Sequence, residues 1–417
     1  MKVLHIAPHV GGGVGSVLKG FFQESARINV ENDLYCLDYC RFNYDDITPF
    51  GQKKQGLGYS SVSGYVDEFK NYDVILVHYW NHPLLARALL TANWSSTKVV
   101  FWCHNSGLSE PHIIPNYIVR LASKVLFTSS SSLKAPNLKK FINRSPDRFG
   151  VVHSTSDLRA WRAIGAKRTR SNATRRGLYL GTVAYSKMHP HSAQILARLS
   201  KMGLPINIVG GPDQVRFQHE VHNLGGKIQV YGQVNDVLKF YEHADFFLYP
   251  LRRGHFGTGE QVILEAMAAG LPVIAFNNPA ETAIIQHGQT GFLAESANDF
   301  VQKVRLIADD KLLREKLSLN ALRDVDKTFN HLAMVRKLLD HLRIVVGCEQ
   351  KIGGDVPAEV GSDEFAIFAI SSFFDTSVVE GLMHCPKEAV DLVYEKICGY
   401  LDAPYQNEVW LSKQKSS

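Results

Sequence analysis

The sequence predicts an α/β protein with two doubly wound parallel-sheet domains in series, facing a cleft and followed by a C-terminal extension. Three observations predict it. Short apolar runs rich in β-formers alternate with helical patterns, as in a parallel sheet with crossover helices. The alternation stops over a basic stretch and then restarts. And 417 residues exceed what one ordinary core organises.

In the first half the expected strands are Val3–Pro8, Leu34–Asp38, Val74–His78, Val99–Cys103, Val125–Ser129 and Val151–His153, with helices such as Ser16–Ile28 and Pro83–Ala92 between them. The continuous run Val74-Ile-Leu-Val77 reads as a strand buried on both faces. From Arg159 to Arg176 the chain carries seven arginines and lysines with little apolar periodicity, which reads as an interdomain linker; a basic membrane-facing patch anchored by Trp161 is the competing reading. Strands are expected again at Leu178–Leu180, Ile206–Val209, Ile228–Tyr231, Phe246–Tyr249 and Val273–Phe276. Helices are expected at Glu260–Ala269, Asn298–Ala308, Leu312–Asp326 and His331–Val346. The resulting division is 1–158 for the first domain, 159–176 for the linker, 177–347 for the second domain and 348–417 for the extension, which has helical pieces such as Lys387–Leu401. Ligands of such sheets bind outside the carboxyl ends of the strands, here facing the cleft.

Composition narrows the function. Hydrophobic residues are 45% and charged residues 21%, ordinary values for a soluble globular chain. The N-terminus runs straight into a strand, and the most apolar late stretch, Phe365–Phe374, is far shorter than the roughly 20 residues of a spanning helix. A net charge of +6 suits anionic ligands such as nucleotide diphosphates, or peripheral contact with an anionic membrane. No dense basic helix marks a nucleic-acid binder. The six cysteines form no CxxC, so reduced thiols in the cytoplasm are expected.

The most informative segment runs from Phe256 to Ala275. A strand ends at Tyr249-Pro250, a glycine-rich loop follows, a helix opens near Thr258, and Gly270-Leu-Pro stops it. A helix N-terminus reached through glycines offers backbone N–H groups and the positive end of a dipole, which suits a diphosphate, with Arg252 and Arg253 just upstream. Thr258-x-x-Gln261 also reads as a capping box, a purely structural use. Capping leaves Glu265 unexplained; a carboxylate there offers only acceptors, which suits a pair of ribose hydroxyls, whereas a solvated helix face is the ordinary alternative.

The run Gly257–Ala275, followed by Asn278-Pro-Ala-Glu281 and Gly288-Gln-Thr-Gly291, resembles the C-terminal half of the retaining glycosyltransferases of family four. Those enzymes share the GT-B fold of two Rossmann-like domains. Their pattern has two glutamates separated by seven residues; the second is Glu265, and the first falls on Gly257, with Glu260 three residues later. The resemblance implies that Glu260 or the local backbone takes over part of the contact with the donor sugar. Tyr179-Leu-Gly181-Thr-Val-Ala-Tyr-Ser-Lys187 is similar to the segment whose arginine and lysine bind the donor diphosphate; Lys187 keeps its place, and Thr182 stands where the arginine would be. The resemblance further implies donor contacts from Gly181, Thr182, the Gly232–Val234 stretch, Gly257, Thr258, Gly259 and, replacing the arginine, Arg252 or Arg253.

In the first half, Gly11-Gly-Gly-Val-Gly15 follows the first strand but fails G-x-G-x-x-G in both registers, which weighs against a nicotinamide oxidoreductase. The resemblance brings Gly12 and Gly13 to the donor phosphates or the acceptor; a tight strand-to-helix turn is the alternative. His104 ends a strand where family members place a histidine near the donor sugar, and could donate a hydrogen bond to a sugar hydroxyl; His78 and His82 are weaker candidates. Asp324-Val-Asp326 lies in a helical run and reads as solvent-facing, so no metal and no cofactor beyond the nucleoside-diphosphate sugar is expected. The implied enzyme is a retaining glycosyltransferase with a saccharide or glycolipid acceptor, working in the cytoplasm or at the inner membrane face. The alternative is a catalytically degenerate GT-B binding or scaffolding subunit, motivated by Thr182 and Gly257.

Overall fold

The computed structural model describes residues 1–37, 53–55, 69–82, 97–108, 112–168, 175–255 and 257–348, with Leu85, Ala88, Leu89 and Trp94 between them. Phe256, Phe365–Phe374, Lys387–Leu401, most of Pro83–Ala92 and nearly all of the 348–417 extension lie outside the described residues. The chain forms two compact units: residues 1–128, 132–152 and 337 onward, and residues 129–131 with 153–336. The second unit thus starts before the expected linker, and the last part of the helix His331–Gly347 is counted with the first.

The first unit holds a parallel sheet of seven strands: β1 Lys2–Ala7, β2 Glu31–Cys36, β3 Lys53–Gln55, β4 Val74–Tyr79, β5 Val99–Cys103, β6 Lys124–Phe127 and β7 Phe149–Val151. Their order is β3-β2-β1-β4-β5-β6-β7, doubly wound from β1. β4 and β5 are buried along their whole length, which is why both read as unbroken apolar runs. The helix Gly12–Ala26 crosses from β1 to β2 and buries Val17, Leu18, Phe21 and Phe22.

The second unit holds six parallel strands in the order β10-β9-β8-β11-β12-β13. They are β8 Gly177–Leu180, β9 Ile206–Val209, β10 Gln229–Val230, β11 Phe246–Tyr249, β12 Val273–Phe276 and β13 Gly291–Ala294. β3 and β13 were not expected from the sequence. The close approach of the residues just past β8 and β9 depends on glycine: Gly210, after β9, has φ +135°, and a Cβ there would lie 1.8 Å from the carbonyl oxygen of Gly181, after β8. This closeness brings the ends of β8 and β9 together.

The expected linker opens instead as the helix Arg159–Lys167. Its Ile164 is buried, and a Cβ on Gly165 would meet the Ala268 carbonyl at 2.6 Å and Leu322 at 2.7 Å. Arg168 then donates to the carbonyls of Ala269, Ala244 and Tyr241 at 3.0, 2.5 and 2.7 Å. The arginines that made this segment look solvated are used in part to satisfy carbonyls at the C-termini of two helices. No helix among the described residues is long and apolar enough to cross a membrane.

Candidate functional site

The site grows from three loop segments at the carboxyl ends of β8, β11 and β12. After β8 the chain turns at Gly181 (φ +148°) and reaches Lys187. That segment is laced to the one after β11: the Arg252 N–H donates to the Lys187 carbonyl (3.0 Å), the His189 N–H to the Pro250 carbonyl (2.8 Å), and Met188 bridges Leu251. The lacing brings Lys187 to Glu260. Lys187 Nζ donates to Glu260 Oε2 at 3.3 Å, with side chains 13% and 6% exposed. Tyr249, the last residue of β11, donates its hydroxyl to the same oxygen. Burial alone would push the Glu260 carboxyl up; the Lys187 ammonium, His255 and the Tyr249 hydroxyl outweigh it and hold the group below its ordinary value.

A second carboxylate lies behind the first. Glu281, fully buried, accepts from His255 Nε2 at 3.0 and 3.1 Å and from Asn278 Nδ2 at 3.3 Å. Burial pulls the imidazole down, but the bond to Glu281 and the charges of Glu281 and Glu260 raise it above its ordinary value. The other ring nitrogen, Nδ1, accepts from the Gly257 N–H at 3.1 Å and stands 3.8 Å from Glu260 Oε1. His255 therefore occupies the Gly257 amide, one of the groups expected to face a diphosphate.

The helix begins at Gln261, with Glu260 as its N-cap and no side-chain cap bond. The expected capping box between Thr258 and Gln261 is not formed. Gln261 instead donates to the carbonyls of Ser154 (2.5 Å) and Gly259 (3.1 Å) and accepts from the Ser156 N–H (3.0 Å). The long-range tie to Ser154 and Ser156 replaces a local one, because the Gln261 amide has both donors and an acceptor to satisfy in a buried position. Thr258 is buried, and Gly259 lies beside Ser154.

Gly257 itself accounts for Glu260. A Cβ at position 257 would lie 1.7 Å from Glu260 Oε1. The carboxylate of Glu260 thus fills the space into which a side chain at 257 would extend. One turn further, Glu265 is partly exposed and accepts from the Tyr241 hydroxyl at 2.7 Å. Burial raises its carboxyl to about 7, with the Tyr241 bond acting in the opposite direction.

The remaining expected residues fall in several places. Thr182 is exposed, and its carbonyl accepts from Tyr179 (2.6 Å). Gly232 (φ +63°) gives its carbonyl to the Gly210 N–H at 2.6 Å, beside partly buried Val234. Arg252 has an exposed side chain, and Arg253, also exposed, lies 3.8 Å from Glu295. Arg253 is therefore not gathered with Lys187 and Glu260. In the first unit, Gly12 (φ +55°) and Gly13 are exposed at the start of the helix Gly12–Ala26. His104, partly exposed beyond β5, is bonded to buried His78 (Nε2 to Nδ1, 3.1 Å); His82 is buried beside His9. Asp324 accepts from Gln286 at 2.9 Å, and Asp326 pairs with Arg162 at 2.7 Å. Tyr249, His255 and Tyr241 were not expected as functional groups; the only sequence signal for the tyrosines is a hydroxyl at the end of an apolar run.

Residues 166–324 match the sequence family described as Glycosyl transferases group 1. The matched stretch contains Lys187, Glu260, Glu265 and Glu281. The chain is 32% identical over 100 residues to the capsular polysaccharide biosynthesis glycosyltransferase CapM of Staphylococcus aureus, covering 23% of this chain and 25% of that protein. It is 23% identical over 280 residues to the N-acetyl-alpha-D-glucosaminyl L-malate synthase of Bacillus anthracis, covering 62% of this chain and 71% of that protein. The chain thus spans about a quarter of the first relative's length. Among solved structures, Anabaena HepE in complex with UDP and glucose superposes with a TM-score of 0.62 at 18% identity, over 82% of this chain and 100% of HepE. The fold is GT-B, with both Rossmann-like sheets present.

Proposed function

We propose that the chain is a retaining glycosyltransferase that moves a sugar from a nucleoside diphosphate to a hydroxyl acceptor. The observation that carries this reading is the Lys187–Glu260 pair at the start of the helix Gln261–Ala268, with Glu265 one turn along the same helix. The ammonium is a point cation able to neutralise a departing diphosphate, and the helix N-terminus adds a preorganised positive end. Glu265, once ionised, accepts from two ribose hydroxyls; Glu260 orients the sugar, with His104 assigned to the sugar by resemblance. Gly12, Gly13, Gly181, Thr182, Gly232, Val234, Gly257, Thr258 and Gly259 keep their proposed places along the donor or acceptor, and Arg252 remains the proposed stand-in for the missing arginine.

In the proposed step the bond from the anomeric carbon to the diphosphate oxygen breaks, and a bond to the acceptor oxygen forms on the same face. The acceptor proton passes to the departing phosphate oxygen, so no covalent intermediate and no metal are needed. UDP is the first nucleotide to try, since HepE was solved with it. The CapM likeness supports polysaccharide or glycoconjugate assembly with a saccharide acceptor; a glycolipid acceptor and work at the cytoplasmic membrane face are proposed from the family resemblance alone. The degenerate-subunit alternative is not favoured, because Lys187 and Glu260 are paired. A donor-hydrolysis screen across nucleotide sugars, with and without EDTA, tests the reading. Loss of turnover in Lys187→Ala and Glu260→Ala supports it; no hydrolysis of any donor, or near-normal turnover by both variants, removes it.

A further inference from the structure

Four polar side chains run in a row across neighbouring strands of the first unit: Asn32 on β2, His5 on β1, His78 on β4 and His104 just past β5. His5 Nε2 lies 3.1 Å from Asn32 Oδ1, His5 Nδ1 lies 3.0 Å from His78 Nε2, and His78 Nδ1 lies 3.1 Å from His104 Nε2. The rings are nearly parallel, with interplanar angles of 16° and 18°. Phe21 and Phe22 set their edges against His5, and Trp102 packs on His78 and His104. Asn32, His5 and His78 are at most 1% exposed.

The row has a direction, fixed at one end. Asn32 Nδ2 lies 3.1 Å from the Val30 carbonyl oxygen, which can only accept, and 2.9 Å from Ser25 Oγ. The Asn32 amide nitrogen is therefore on that side, and its oxygen faces His5. An oxygen accepts, so His5 carries its proton on Nε2 and accepts at Nδ1. The same logic passes to His78 and then to His104, provided the rings are neutral. Burial drives all three that way, lowering His5 to about 4, His104 to about 3 and His78 well below its ordinary value.

We propose that Asn32, His5 and His78 are positioning residues that hold His104 as the neutral Nε2–H tautomer, so that the ring meets a ligand hydroxyl as an acceptor, through Nδ1. This reverses the donor role expected for His104 from the sequence, because its donor nitrogen is committed to His78. A ligand group against Nδ1 must carry a proton to give, which selects a sugar hydroxyl over an ether or carbonyl oxygen. The inference rests on the reading of His104 as a donor-sugar contact, but the tautomer is measurable without any ligand.

The test is a two-bond proton–nitrogen spectrum of full-length protein labelled with ring-15N histidine, with His104 assigned through His104→Gln. His104 is expected as Nε2–H in the unmodified protein. In Asn32→Leu and in His5→Leu its signal is expected to move towards a mixture of tautomers. UDP-glucose hydrolysis, the probe reaction, is expected to fall about tenfold in kcat in both variants with little change in KM, the scale of one lost hydrogen bond. His104 as Nδ1–H in the unmodified protein overturns the inference even if neither variant folds, and so does an unchanged Nε2–H signal in both folded variants. An Nε2–H signal that responds to both substitutions in a protein that hydrolyses no nucleotide sugar supports the relay and sinks the functional reading instead.

Discussion

Replacing Gly257 with alanine adds one methyl group at the point where the chain departs from the two-glutamate pattern. The new Cβ would stand 1.7 Å from Glu260 Oε1, whereas a carbon and an oxygen in contact sit about 3.3 Å apart, so the carboxylate must retreat by roughly 1.6 Å. The backbone at 257 lies outside the left-handed region, so alanine itself is not strained there. Lys187 already reaches Glu260 at 3.3 Å, and that displacement separates them and pulls the carboxylate from the Tyr249 hydroxyl. Misplacement of a positioning group by about 1 Å costs about a hundredfold in rate. Gly257→Ala is therefore expected to keep its fold, judged by thermal melting, while kcat/KM for donor hydrolysis drops about a hundredfold. The exchange Gly257→Glu with Glu260→Gly moves the carboxylate to the position of the family pattern and is expected to recover at least part of that loss. Activity of Gly257→Ala within threefold of the unmodified protein would refute the assignment of Glu260 to the donor.

Three further outcomes follow from the second unit. The Glu265 carboxyl, raised to about 7, must be ionised to accept from ribose, so UDP affinity measured by calorimetry should weaken as pH falls from about 8 to about 6; Glu265→Gln should bind weakly and show no such slope. His255→Ala strips the N–H donor from fully buried Glu281 and is expected to destabilise the protein by about 3 kcal/mol, read as a lower denaturant midpoint. Because the His255 imidazole is raised, its contribution is present below about 6.5, the ordinary histidine value, and fades as pH rises through the higher folded value, so the gap between variant and parent should narrow at high pH. Arg168→Ala leaves three helix-end carbonyls without their donor and should cost about 2–4 kcal/mol; a change under about 0.5 kcal/mol would restore the view of this segment as a solvated linker.

The parallel sheets were legible because central strands such as Val74–Tyr79 and Phe246–Tyr249 are buried on both faces and so spell continuous apolar runs. β3, with the sequence Lys-Lys-Gln, gives no such run, being an edge strand of three residues. The helix Arg159–Lys167 escaped notice because it buries little beyond Ile164, and its packing depends on the absence of a side chain at Gly165. Within the site, Lys187 and Glu260 could be picked out only through the family resemblance, and Glu265 also by its place on a helix. Their partners could not. Tyr249 and Tyr241 look like core aromatics until the fold puts Glu260 and Glu265 opposite their hydroxyls. His255 needed Glu281, 26 residues away, to declare itself. The false capping box shows the same limit: Gln261 matched a local motif, but its amide is claimed by Ser154 and Ser156, more than a hundred residues earlier.

Titration of UDP into the unmodified protein and into Lys187→Ala measures the grip on the pyrophosphate most directly. Saturable binding that weakens at least tenfold in Lys187→Ala, while that variant retains its melting transition, is the predicted result. Failure of UDP and of every other nucleoside diphosphate to bind, or equal affinity in both proteins, would contradict it.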